Sequence, residues 1–384
     1  MLNYTIESTE NYKMMLKNTG ALSKLFSESE SPFLVSRSTE NIYCEGLGAD
    51  NLSRSDCTAD ARYSDRVKGQ IGIGIKTFLH NNGRTIQKIA EFNKLTHEYR
   101  DREPKELILK IAELRNERID FTKATHGLDD MIYHCITRSP GKILIFESPM
   151  QHIQIDKIKN IKVKPTTISF EDGIEEYSFN ITKSTLYKRF DYSNTIPLFE
   201  IPVNIIEHPY LSLAELSKLD TTIAAESKET YTSPKDSPYV ILPLFSDQGI
   251  RHVPERSGLN QWNAKGRKRN YNEIYIPIPS WIHSSYPEFF PNRDTPFNLK
   301  LPDKKILNVK VCQAGSKALM SNPNKDLGKW LLRQVFRLEE GQRLTYTMLK
   351  ELDIDSVRIT QHSQELYSID FCTLGTYDEF KSMT

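Results

Sequence analysis

The stretch Ile71–Lys94, IGIGIKTFLHNNGRTIQKIAEFNK, constrains this chain more than any other. Ile71, Ile73 and Ile75 alternate with Gly72, Gly74 and Lys76, the period of a strand with one apolar face. Three isoleucines therefore face a core, and Lys76 points the other way behind two glycines. Gly inside a strand weakens it unless something approaches the backbone closely, so the bare strip on the Lys76 face asks for an occupant. Asn82-Gly83 then break the chain. Beyond them Ile86, Ile89 and Ala90 form a helical stripe, with Arg84, Gln87, Lys88 and Glu91 off it. A Lys at a strand end is more often a solvated rim, and a Glu on an amphipathic helix is more often surface. The glycine strip is what raises this pair above that background.

Upstream, Asn51–Tyr63, NLSRSDCTADARY, is short-side-chained and polar, and leads through a turn near Val67–Lys68 into the Ile71 strand. A hairpin of that length sets Asp60 opposite Gly74–Lys76, with Asp56 further along the same face. Asp60 is preferred and Asp56 is its close competitor. Phosphodiester hydrolysis needs an in-line water, stabilisation of charge on the phosphate and help for the leaving oxygen. Hard divalent cations held by carboxylates supply the electrostatics, and a lysine near the attacking water stabilises the forming nucleophile. Asp60 and Glu91 as Mg²⁺ ligands, with Lys76 between them, meet that need. No GxxxxGK[ST] loop, no H-x-K motif with a following Asp and no His/Asn/His zinc-nuclease pattern is present. Paired-carboxylate glycosidase chemistry stays open, because its carboxylate separation is spatial.

The 384 residues, 38% hydrophobic and 26% charged, are ordinary for a globular protein of two or three domains. No apolar run reaches membrane-spanning length, and the N-terminus MLNYTIESTENYKMML lacks a cationic-apolar signal pattern, so a cytoplasmic location without membrane contact is expected. Cys44, Cys57, Cys135, Cys312 and Cys372 are scattered and odd in number, which fits reduced thiols rather than disulfides or a zinc site. The net charge of +1 is uninformative, but its distribution is not: Arg251–Trp330 holds 14 Lys and Arg against 6 Asp and Glu. A basic segment on a neutral chain is the footprint of a polyanion-binding module, against the alternative of charge spread around a solvated domain.

Along the chain, Ser36–Tyr43 has the makings of a short helix, and Pro104 opens a helical region running through DDMIYHCI to Pro140-Gly141. Lys142–Glu147 reads as a buried strand, and further strands flank the turn at Asp172-Gly173. This order suits an α/β domain, a mixed sheet flanked by helices. Lys183–Arg189 mixes basic and hydroxyl residues, equally a phosphate contact or an exposed strand end. Leu213–Glu226 has helical periodicity, and Ser227–Pro238 is Ser/Thr/Pro-rich and marks a domain boundary. The expected organisation is 1–226, a linker at 227–237, and 238–384. The last segment is dominated by short strands: YVILPLF, IYIPIP, a hairpin FNLKLPDKKILNVKVCQ, and final strands at Ser356–Ile359 and Leu366–Phe371. Helices are expected at Leu327–Leu338 and Thr345–Leu352, giving a mainly β, partly open barrel.

Two loops there combine cations with amides. Asn260–Asn270 offers Asn260, Gln261, Trp262, Asn263, Lys265, Arg267, Lys268 and Arg269; Gly315–Asn324 offers Ser316, Lys317, Ser321 and Asn322. Arg and Lys neutralise phosphates and contact guanine, and Asn and Gln contact adenine, so such loops carry both electrostatic and base-reading chemistry. Set against this, a GRKR loop is often only solvated, and Trp262 can serve simply as an anchor.

Asp60…Gly74-Ile75-Lys76…Glu91 resembles the PD-(D/E)XK nuclease core of restriction endonucleases, with Gly74 standing where the usual Glu lies. It is similar to the subset in which that acid has migrated to the following helix, which implies Glu91, with Glu98 and Glu45 as poorer options. SGLNQWNAKGRKRNYNEIYIPIP, FFPNRDTPFNLKLPDKKIL and GSKALMSNPNKDLGKWLLR resemble the DNA-recognition domain of NgoFVII-type restriction endonucleases, a pseudobarrel like the plant B-three domain. The resemblance covers roughly Pro238–Phe371 and implies two arms gripping the major groove, Asn260–Arg269 and Ser316–Asn322. Relatives with this recognition domain carry a phospholipase-D-type nuclease half; this chain does not. Together these resemblances imply a Mg²⁺-dependent Type II restriction endonuclease on double-stranded DNA, working as a homodimer or a transient dimer. The rivals are a DNA-binding regulator with a dimerisation domain and a repair nuclease of little sequence preference.

Overall fold

The computed structural model describes residues 2–52, 57–92, 102–214 and 237–383. Asp56, Glu98, most of the expected Leu213–Glu226 helix and all of the expected linker but Ser237 lie outside them. The described residues form two compact units, one of residues up to 116 together with 128–214, the other of 117–127 together with 237–383.

The first unit opens with helices α1 (Ile6–Ala21) and α2 (Ser36–Leu47), then strands β1 (Asp50–Asn51), β2 (Ala61–Asp65) and β3 (Gly69–Leu79). β2 and β3 are the expected hairpin, with Ala61 opposite Ile73 and Asp65 opposite Gly69. After β4 (Arg84–Glu91) comes α3 (Pro104–His126), whose residues from Glu117 on belong to the second unit, followed by β5 (Asp130–Ser139), β6 (Lys142–Pro149) and, later, β11 (Phe199–Pro202). One six-stranded sheet runs β1-β2-β3-β5-β6-β11. β5 lies parallel to β3 with Lys76 opposite Cys135, a pairing that requires a long connection such as the one α3 supplies. Ile71, Ile73 and Ile75 pack in one core with Tyr12, Leu16 and Tyr43 of α1 and α2. The two helices touch closely at Gly46, where a Cβ would sit 2.8 Å from the Tyr12 Cα. Beneath them the buried His134 Nε2 meets the Tyr12 hydroxyl at 2.8 Å, and the Tyr4 hydroxyl donates to Glu147 Oε1 at 2.6 Å.

The opposite face of that sheet carries Gly72, Gly74 and Lys76. A second, antiparallel sheet lies over it, in the order β4-β10-β9-β8-β7, where β7 is Lys159–Lys164, β8 Thr167–Glu171, β9 Glu176–Asn180 and β10 Thr185–Asp191. Phe190 of β10 packs on Phe78 and Tyr133, with ring centroids 5.9 and 5.2 Å away. The glycine strip does have an occupant, but it belongs to the protein. A Cβ at Gly74 would lie 2.5 Å from Met150 Cε and 3.3 Å from the Tyr133 ring, and one at Gly72 would lie 2.6 Å from Leu128 Cδ1.

Two expectations are corrected here. Arg84–Glu91 is a strand, not a helix: its residues pair with β10 from Thr185 opposite Glu91 to Asp191 opposite Arg84. Thr85, Ile86 and Ile89 are β-branched, and the cross-strand partners supplied by β10 outweigh an apolar spacing that also fits a helix. The helical region after Pro104 also stops earlier, at His126, where Gly127 takes a φ of 62°. DDMIYHCI is β5, buried on both faces, so its apolar run shows no period-2 alternation.

The second unit is a seven-stranded, barrel-like sheet in the order β12-β17-β18-β14-β15-β16-β13. These strands are β12 (Tyr239–Pro243), β13 (Ile276–Pro277), β14 (Pro296–Lys300), β15 (Ile306–Cys312), β16 (Ala318–Ser321), β17 (Ile354–Gln361) and β18 (Leu366–Thr373). All pairs are antiparallel except β14 with β18. The β14–β15 hairpin turns at Pro302-Asp303 as expected, and Ile274, Ile276 and Ile278 are all buried. Asp326–Gly328 leads into a π-helical turn, Lys329–Val335, that buries Trp330, Leu331 and Val335. At Gly328 a Cβ would be 2.6 Å from the Asn272 carbonyl carbon, so the helix and the Asn272 backbone lie in direct contact. The expected Gly315–Asn324 loop is corrected in part: Ala318–Ser321 is a fully buried strand. Among the described residues no helix is long and apolar enough to cross a membrane.

Candidate functional site

Asp60 stands one residue before β2. Its N–H donates to the Ile73 carbonyl at 2.8 Å, and its Oδ2 accepts from the Ile75 N–H at 2.7 Å. The ladder of the hairpin therefore fixes the carboxylate beside the backbone that carries Lys76. Burial pushes the Asp60 pKa up to about 6; the Lys76 ammonium and the Ile75 N–H oppose that rise, Glu40 adds to it and Arg37 opposes it.

Glu40 was not among the residues the sequence singled out. It lies on α2, its side chain 15% exposed, with Arg37 Nη1 at 3.1 Å. It also helps hold the Cys44 thiol up, at about 12, behind the larger effect of burial. The signal was present but weak: Ile42, Tyr43 and Leu47 mark the buried stripe of α2, and Glu40 lies one turn before Tyr43 and Cys44. An acid at the edge of that stripe points toward the strand on which the helix packs.

The other expected acids are placed elsewhere. Glu91 ends β4, pairs with Lys88 Nζ at 2.9 Å and is half exposed, so the helix from which it was to reach back does not exist. The charges acting most on Asp60 are Lys76, Glu40 and Arg37, and Glu91 is not one of them. Glu45 is exposed on α2. No group of three or more His, Cys, Asp or Glu among the described residues forms a ready metal cage. Two hard carboxylates still suit Mg²⁺, which is usually held by one or two carboxylates and completes its octahedron with waters and substrate phosphates.

In the second unit the side chains of the two loops sort into those used within the protein and those left exposed. Asn260 is buried, its Nδ2 donating to the carbonyls of Leu344 at 2.9 Å and Pro254 at 3.1 Å, while its Oδ1 accepts from the Leu344 N–H at 3.0 Å. A side chain fully used inside cannot read a base, so the expectation for Asn260 is corrected. Ser321 is corrected for the same reason: its Oγ donates to the Pro323 carbonyl at 2.9 Å and accepts from the Leu327 N–H at 2.8 Å. Trp262 packs against the barrel core and Tyr271, Asn263 donates to the Glu255 carbonyl, and Gln261 is half buried. Arg269 folds back onto the Ala264 carbonyl at 3.2 Å, and Arg267 pairs with Glu273 while keeping 61% of its side chain exposed. His283 Nε2 donates to the Ser316 carbonyl at 2.9 Å. Lys265, Lys268, Lys317 and Asn322 are exposed.

Of these, Lys265, Lys268 and Lys317 have the freedom that phosphate contacts need. Lys268→Ala is expected to weaken binding about equally on all duplex sequences and to reduce the slope of log affinity against log salt by about 1. A sequence-dependent loss in a salt titration on two unrelated duplexes would instead make Lys268 a base reader.

Residues 239–363 match the family model described as the NgoFVII C-terminal B3-like DNA-binding domain. A search of curated proteins returned no match for the chain. The barrel is thus similar to the DNA-binding domain of a restriction enzyme, and this protein carries a DNA-binding domain of that type.

Proposed function

We propose that the protein is a Type II restriction endonuclease: the first unit hydrolyses phosphodiester bonds with Mg²⁺, and the second selects the sequence. The observation that carries this is the hydrogen bond from the Ile75 N–H to Asp60 Oδ2, which locks a half-buried carboxylate next to Lys76. The order of elements supports it, since a helix, a three-strand meander and a helix leading to a strand parallel to β3 suit the PD-(D/E)XK core.

Asp60 would hold the metal, and Glu40 is a better second ligand than Glu91 because it acts on Asp60 directly. A bound Mg²⁺ would supply Lewis-acid stabilisation of the phosphate. The chain's own residues do the rest. Lys76 faces the scissile phosphate and stabilises the negative charge that builds on the attacking and phosphoryl oxygens. Asp60 keeps the site anionic enough for a cation, and Arg37 limits the repulsion between Asp60 and Glu40. Cutting two strands takes two such sites, so a homodimer on DNA is part of the proposal.

The test is cleavage of a plasmid in Mg²⁺ against EDTA, with duplex binding followed in parallel. Lys76→Met and Glu40→Gln should each slow cleavage by about 10²–10³-fold with binding retained, and Glu91→Gln should leave cleavage within a few-fold. If the wild type binds its duplex but never nicks it in Mg²⁺, the protein is a DNA-binding regulator instead. Unpatterned products in place of discrete bands would favour a nuclease of little sequence preference.

A further inference from the structure

Arg267 is held at both ends. Its carbonyl accepts from Arg269 Nη1 at 3.4 Å, and the Arg269 side chain, 16% exposed, also reaches the Ala264 carbonyl at 3.2 Å. Its guanidinium donates through Nη2 to Glu273 Oε1, yet the side chain stays 61% exposed. Glu273 is itself fixed. Its side chain is only 7% exposed, its N–H donates to the Asn270 carbonyl at 2.9 Å, and Ile274 next to it is buried in the barrel core. Arg269 Nε lies 3.6 Å from the same carboxylate oxygen. A buried acid is thus committed to two arginines of one loop. Lys265 and Lys268 of the same loop are exposed and make no ion pair among the described residues.

We propose that Glu273 is a positioning residue that makes Arg267 a reader of guanine: it aims the guanidinium so that the remaining N–H groups meet O6 and N7 in the major groove. The inference rests on the reading of the second unit as the part that selects the sequence. Charge separates a base contact from a phosphate contact. A phosphate on Arg267 would also lie beside the Glu273 carboxylate and be repelled by it, whereas a base edge carries only partial charges. Lys265 and Lys268, free of any acid, are the better phosphate partners. Geometry points the same way. A bidentate contact needs a planar fork at a set angle, and a fork ordered before DNA arrives loses less entropy on binding. Donor chemistry then selects the base. A guanidinium has donors and no acceptor, so it matches the two acceptors of guanine. It cannot accept from the amino group of adenine or cytosine, and it finds a single acceptor on thymine.

The probe is a pool of DNA duplexes with a randomised centre, bound by the full chain in EDTA and sequenced to give the base preference at each position. The wild type should prefer guanine at one position that Arg267→Lys abolishes, with a loss of about tenfold in discrimination there and the other positions kept. Glu273→Gln should flatten the same position at least about fivefold. It also frees Arg267 as a mobile cation, so affinity for an unrelated duplex should rise and the slope of log affinity against log salt should steepen by about 1. A merely structural role for Glu273 would weaken every position alike and would not steepen the slope; that result overturns the proposal. If Glu273→Gln does not fold, Arg267→Lys decides, since it leaves the acid in place: a guanine preference that survives it overturns the proposal. A wild type with base preferences that neither variant alters removes this inference alone. A wild type with no base preference removes the sequence-selection reading and this inference with it.

Discussion

Asp60→Asn is expected to give a protein that is more stable than the wild type above pH 6 and has lost cleavage. The sign follows from linkage. The folded-state pKa of Asp60 is about 6, above the ordinary aspartate value of about 3.9 in the unfolded chain. A raised carboxyl pKa means that the folded state binds the proton more tightly, so stability is fully present below pH 4 and falls as pH rises to about 6. At neutral pH the charged Asp60 therefore costs on the order of 3 kcal/mol. Asn has nearly the same shape and its Oδ1 can still accept the Ile75 N–H, so the substitution removes the cost and keeps the anchor. The urea midpoint in EDTA should rise at pH 7.5 and converge with the wild type near pH 4. Cleavage should fall by about 10²-fold or more, since a neutral amide is a poor ligand for a hard cation. For the same reason wild-type cleavage should increase with pH through about 6. A variant that is less stable at pH 7.5, or that still cuts at the wild-type rate, would remove Asp60 from the site.

Gly328→Ala carries the largest expected loss of stability. The new Cβ would lie 2.6 Å from the Asn272 carbonyl carbon and 2.8 Å from its Cα, and both are backbone atoms. Asn272 has little room to retreat: its Oδ1 accepts from Arg333 Nε at 2.7 Å, and Glu273 next to it holds Arg267. Overpacking of this kind costs about 3 kcal/mol, and more where backbone must move. The three tryptophans, Trp262, Trp281 and Trp330, all lie in the second unit, so their fluorescence during a urea melt reports this unit alone. The expected result is a lower midpoint for the fluorescence transition, with duplex affinity reduced on all sequences. An unchanged midpoint would mean that the helix and the Asn272 backbone separate easily, and that the arms do not depend on their contact.

How much the sequence revealed depends on whether short-range pattern or long-range pairing decides each element. The Ile71 strand and the β14–β15 hairpin were legible, because alternation and turn residues specify them locally. β4 was not, because its spacing fits two periods and only β10, about a hundred residues later, selects the strand. β5 was hidden for a related reason: with both faces covered it shows no alternation, and it follows a genuine helix. The Asp60–Lys76 pair was legible because the hairpin turn sets its register. Glu40 was not, since its approach to Asp60 comes from the packing of α2 on the sheet. Asn260 and Ser321 show the same limit in the arms: an amide or hydroxyl in a basic loop looks the same in sequence whether it meets DNA or closes the loop on itself.

On the proposal that Asn260–Asn270 is a recognition arm, the clamp made by Asn260 has a consequence for how the protein would meet its target. A recognition loop tied by one buried amide to Pro254 and to both polar groups of Leu344 has lost most of its freedom before DNA arrives. The entropy of ordering the arm is charged to folding rather than to association. Such an arm cannot reshape itself around a poor match, so a wrong duplex meets a fixed profile with its charges and amides out of register. Discrimination then rests on the rigidity of the loop's root as much as on the residues at its tip.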